Sequence, residues 1–177
     1  MNASKPRQAP ILRAGTLADL ENCLRLWVDA CTARDGRAVD GVAARARPKF
    51  ERAECWIVAE DAASKLVGFV LATVPGSGIP TDPPDAPVIG LLAVAPAAQG
   101  HGLGRVLLNS AEQDLTRRGH TQSVLHVLSD NHAAVRSYLR NGWLPYGEPF
   151  EHSLLKRPTQ TYVRQLRAPG TDRPPAP

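Results

Sequence analysis

The chain has 177 residues, and 43% of them are hydrophobic, enough for one domain with a buried core. Its formal net charge is +4 and its pI about 9.3, but no block of five or six like charges occurs, so no nucleic-acid arm is expected. The longest apolar run, VIGLLAVAPAA, is too short to span a bilayer and contains Pro96, and MNASKPRQAP has no apolar segment of the secretory type.

These features point to a soluble cytoplasmic protein with no membrane partner. Cys23, Cys31 and Cys55 are odd in number and match no zinc spacing. Buried free thiols are expected, as in a reducing compartment. Residues 1–9 and the proline-rich 168–177 read as disordered tails, which leaves 10–167 as a single domain.

ILRAG reads as a short first strand. In TLADLENCLRLWVDAC, residues Leu17, Leu20, Leu24, Trp27, Val28 and Cys31 share one helical face, and Thr16 with Asp19 resembles a capping box. DGVAARARPKFERA suggests a second helix, whose limits Pro48 blurs. CWIVAED and KLVGFVLATV read as strands joined by the turn DAAS. The loop PGSGIPTDPPDAP carries five prolines and breaks any strand that would cross it. VIGLLAV is continuously apolar and is expected to be buried on both faces.

The next helix, GLGRVLLNSAEQDLTRRG, places Leu103, Val106, Leu107, Ala111 and Leu115 in helical period and stops at Gly119 after Arg117 and Arg118. QSVLHVL is a strand, and DNHAAVRSYLRNG is a helix capped by Asp130 or Asn131 and stopped at Asn141-Gly142. WLPYGEPF and TYVRQL read as final strands. VIGLLAV, its helix and QSVLHVL form a crossover unit, so those two strands should be parallel.

QGHGLG lies between a strand and a helix. Glycines let the backbone approach a ligand, and a helix N-terminus offers unpaired N–H groups and a positive dipole end. The dinucleotide pattern G-x-G-x-x-G fails, because its last position is Arg105 or Leu107, and the G-K-[ST] of nucleotide triphosphate loops is absent. What remains is Q-x-x-G-x-G, with Gln99, Gly102 and Gly104.

That pattern resembles the pyrophosphate loop of the GNAT superfamily of N-acyltransferases. A second segment resembles the family's N-x-x-A-x-x-x-Y-x-x-x-G-[aromatic], with Asn131, Ala134, Tyr138, Gly142 and Trp143 in order. The resemblance covers residues 11–166 and is strongest from Val88 to Trp143. It implies a mixed α/β (α+β) fold: a mostly antiparallel, twisted sheet of about six or seven strands with about four helices and a parallel pair splayed at the cofactor site. It implies acetyl-CoA as acyl donor and an amine-bearing small molecule or peptide as acceptor, acylated by direct attack in a ternary complex. A non-catalytic acyl-CoA-binding module of the same fold is the alternative, as is a longer acyl chain. The protomer would act as a monomer or homodimer.

The resemblance further implies that the backbone of Leu92, Ala93 and Val94 pairs with the pantetheine arm. The N–H groups of Gln99, Gly100, His101, Gly102, Leu103, Gly104 and Arg105 would hold the pyrophosphate. Val94 would supply the oxyanion N–H and Tyr138 the general acid, while Asn131 would cap its helix and orient the cofactor arm beside Ala134. VIGLLAV carries no carboxylate to act as base. His126, alternating with Leu125 and Val127, is then either the base at the acceptor cleft or a histidine satisfied on the sheet. Glu60, Asp61 and a water chain stand as other sources of the base. The five histidines share no ligand spacing, so no metal is expected.

Overall fold

A computed structural model describes residues 9–166, so the tails expected to be disordered fall outside the described residues apart from residue 9. The strands are β1 (Ile11–Ala14), β2 (Ala53–Glu60), β3 (Leu66–Thr73), β4 (Val88–Val94), β5 (Gln122–Leu128), β6 (Leu144–Glu151) and β7 (Pro158–Gln165). The helices are α1 (Leu20–Asp35), α2 (Val42–Glu51), α3 (Leu103–Arg117) and α4 (His132–Arg140). All seven strands form one sheet in the order β1-β2-β3-β4-β5-β7-β6. Only β4 and β5 are parallel, as the crossover unit between them requires.

Period-two alternation divides the core between two faces. Val58, Phe69, Leu71 and Leu91 point toward α1 and α2, where they meet Cys23, Leu24 and Phe50. Val70, Leu125 and Trp143 point the other way, against Leu107, Ala111 and Leu115 of α3, with Val135 and Tyr138 of α4 at the margin. The three cysteines are free and buried. Burial pushes the Cys23 and Cys55 thiols up to about 12.

Four details depart from the sequence reading. Leu17 is 81% exposed, because Thr16 opens a 3-10 turn over Leu17–Asp19 and α1 begins only at Leu20. The Asp19 carboxylate there accepts from Arg13 at 2.8 Å, which, with the Thr16 N–H at 2.8 Å, holds it well below the usual carboxylate range. Val106 is half exposed, and Leu108 takes the core position expected of it. Trp143 is fully buried but precedes β6, whose residues are mostly exposed at the sheet edge. β4 is not covered throughout: Leu92 and Val94 are only half-buried, because β5 has already left its side.

Candidate active site

β4 and β5 pair only at Val88↔Val124 and Ile89↔Leu125. On its other side β4 stays paired with β3 to Val94, across a bulge: Leu91 faces Leu71 and Ile89 faces Ala72, which leaves Gly90 as the extra residue. From Gly90 onward one edge of β4 is therefore open. The Ala95 N–H donates to the Val67 carbonyl at 2.8 Å, so Gly68 and Val94 are a non-hydrogen-bonded pair. By the alternation of an antiparallel ladder, the backbone groups of Leu92 and Val94 point away from β3 and into the gap. The Gln99 side chain donates to the Val94 carbonyl at 2.9 Å from that side.

The glycine loop continues from this edge. Gly100 and Gly102 take φ of 77° and 80°, and a Cβ on either would meet open space. The left-handed backbone, not crowding, is what requires glycine at both. His101 bonds back to the Gln99 carbonyl at 2.7 Å and faces solvent. Gly102 is the N-cap of α3 and no side chain caps the helix. The first N–H groups, those of Leu103, Gly104 and Arg105, therefore emerge without an intrahelical or capping partner. Arg105 itself is exposed.

A cavity of about 660 Å³ runs through the gap in the sheet. Leu92, Gln99, Asn131, Ala134 and Tyr138 line it on the α3–α4 side; Trp27, Cys31, Arg45 and Lys49 line it from α1 and α2. Asn131 caps α4, its side-chain oxygen accepting from the Ala134 N–H at 3.3 Å. Tyr138 packs edge-on to Trp143, with ring centroids 6.1 Å apart, and its hydroxyl bonds no described residue. Burial pushes the Tyr138 phenol up to about 12.

His126 also lines the cavity. Its Nε2 lies 2.9 Å from Asp82 Oδ2, and its ring meets Phe150 edge-on at 5.2 Å. Asp82, buried in the proline-rich loop, is held by the Ile79 N–H at 3.0 Å and the Thr161 hydroxyl at 3.2 Å. Glu60 and Asp61 lie elsewhere: Glu60 pairs with Arg13 beside β1, and Asp61 accepts the Ala63 and Lys65 N–H groups of a turn. Among the described residues no cluster of three His, Cys, Asp or Glu side chains is placed to hold a metal.

The profile of the acetyltransferase (GNAT) family matches residues 20–143, more than half of the chain. The chain belongs to the GNAT family. Among curated relatives it is 35% identical over 103 residues to the mycothiol acetyltransferase of Mycobacterium sp. (strain JLS), which covers 56% of this chain and 32% of that protein. The chain thus spans about a third of the curated relatives it matches. Ard1 from Thermoplasma volcanium superposes with a TM-score of 0.69 at 18% identity, over 91% of this chain and 100% of that one. The yncA protein of Salmonella typhimurium, solved with its cofactor acetyl-CoA, gives 0.66 at 20% identity, over 91% and 96%. At such identities these two likenesses speak for the fold alone.

Two residues of this cavity were not singled out from the sequence. Asp82 is 44 residues from His126 and sits in a loop whose composition marks only a turn. Lys49 sits between the buried Ala46 and Phe50 on α2, where helical period places it beside the core face. Its charge there was the available clue.

Proposed function

We propose that this chain is an acetyl-CoA-dependent N-acetyltransferase that acylates a primary amine by direct attack in a ternary complex. The open edge of β4, running into an uncapped α3 N-terminus beside the cavity, carries this reading. That edge suits an extended, amide-bearing arm that adds like a strand. The Gln99 N–H is taken by the Pro96 carbonyl at 3.3 Å, and the glycine loop with the N–H groups from Gly100 to Arg105 suits a pyrophosphate. The residues present therefore fit acetyl-CoA, which supplies the activated acyl group as a thioester.

The chain's own groups divide the remaining work. Asp82 is an acceptor, so His126 donates Nε2–H to it, and Nδ1 is left free to take the proton of the amine. As the N–C bond forms, negative charge builds on the thioester oxygen, and a backbone N–H directed into the gap stabilises it. Leu92 and Val94 both supply such an N–H. Leu92 lines the cavity and Val94 does not, so we place the donor at Leu92, with Val94 pairing along the arm. Tyr138 faces the sulfur as the C–S bond breaks. A phenol near 12 holds its proton more tightly than an ordinary thiol near 8.5, so Tyr138 acts chiefly as hydrogen-bond donor to the departing sulfur.

The test is thiol release from acetyl-CoA in the presence of a panel of primary amines. Amine-dependent release is expected. Tight acetyl-CoA binding without release for any amine would replace this reading with a non-catalytic acyl-CoA-binding module.

A further inference from the structure

The acceptor side of the cavity holds more positive charge than its acids balance. Arg34, Arg45 and Lys49 line it together with His126 and His152. Arg34 is paired with Asp35 at 2.7 Å. Arg45, exposed at the cavity rim, donates to the neutral Ser153 hydroxyl, Lys49 is half-buried, and neither forms an ion pair with any described residue. The acid of the lining, Glu151, is exposed and lies 3.3 Å from Lys156. Lys49 reaches over the β4 bulge, so that a Cβ on Gly90 would lie 2.9 Å from its Nζ. Gly90 and His126 both line the cavity, each just past Ile89↔Leu125, the last pair of the parallel ladder. Burial and then Arg45 hold the Lys49 ammonium below its usual range. Burial does the same to His152, with Arg45, Arg34 and Lys49 adding to it, and its Nδ1 accepts the Leu154 and Leu155 N–H groups, so the imidazole is neutral beside the Arg45 and Lys49 cations.

A desolvated cation without a counter-charge is costly, and such groups concentrate where a ligand supplies the missing charge. A cavity of this sign also repels an acceptor that is only a cation. We propose that the acceptor is a small primary amine that also carries a carboxylate, with Lys49 and Arg45 binding the carboxylate and the amine lying toward His126. This deepens the acetyltransferase reading above and rests on it.

The experiment compares amino acids, each against its carboxamide and its decarboxylated amine. Two readouts are taken on wild type, Lys49→Met and Lys49→Arg: acetyl-CoA-dependent acylation, and the shift in melting temperature on binding in the presence of CoA. The carboxylate member should be favoured in kcat/KM by about tenfold or more, Lys49→Met should erase that preference, and Lys49→Arg should keep it. Carboxamides acylated as well as carboxylates would overturn the proposal and leave the enzyme reading intact. Carboxylates that bind through Lys49 without turnover would uphold the site and remove the enzyme reading. Neither series binding nor reacting would overturn both.

Discussion

Tyr138→Phe separates a reacting hydroxyl from a ring that only walls the cavity. The Tyr138 hydroxyl bonds no described residue while its ring packs on Trp143, so the phenylalanine variant should fold with near-wild-type stability at neutral pH. A hydrogen bond to a developing thiolate is charge-assisted and worth about 1.5–3 kcal/mol, which corresponds to about 10- to 100-fold in kcat. Because burial raises the phenol to about 12, Tyr138 stays protonated from pH 6 to 9, and the loss should be constant over that range. Linkage adds a second readout. An acid whose folded pKa is raised binds its proton more tightly when folded, so wild-type stability is complete below the ordinary value near 10 and falls as pH climbs toward 12. The difference approaches about 3 kcal/mol. Tyr138→Phe should therefore match wild type in urea melts at pH 7 and exceed it at pH 11. Thiol-release kinetics across pH give the first result. An unchanged kcat, or equal stability at pH 11, would refute the reasoning.

Asp82→Asn keeps the side chain's size but removes its charge and turns one acceptor oxygen into an amide donor among the His126, Ile79 and Thr161 donors; kcat should fall about tenfold or more while the KM for acetyl-CoA is unchanged, in steady-state assays with either substrate varied. Trp143→Ala empties a fully buried site and strips Glu112 of its 3.1 Å indole partner, which should cost about 3–5 kcal/mol and lower Tm by about 10 °C in a thermal melt.

The architecture was legible because its signals are local and redundant. The periods of VLLNSAEQDL and of QSVLHVL fixed α3 and β5, and the helix that crosses over between VIGLLAV and QSVLHVL forced the parallel pair. Where one local signal stood alone, it failed in detail. Val106 keeps the helical period yet lies outside the stripe that Leu107, Leu108 and Ala111 press on the sheet, and Thr16 caps a 3-10 turn instead of α1. The apolar VIGLLAV read as buried on both sides, because no local pattern announces that its neighbour departs after Ile89. The same holds at the site. The glycine loop and Asn131–Trp143 segment were visible as spacing, whereas Asp82, Arg45 and Lys49 meet His126 only through tertiary packing and have no spacing to be read.

The central claim is that the open β4 edge and the α3 N-terminus hold acetyl-CoA, and titration calorimetry tests it most directly, with NAD as comparison. Wild type should bind acetyl-CoA and free CoA at micromolar affinity and leave NAD unbound. Gly102→Glu carries its new charge onto the uncapped N-terminus; at φ of 80° it costs about 1–2 kcal/mol, so the variant should still fold, yet lose about 100-fold or more in affinity. A folded wild type that binds no acetyl-CoA, or a Gly102→Glu variant that binds it equally well, would contradict the account.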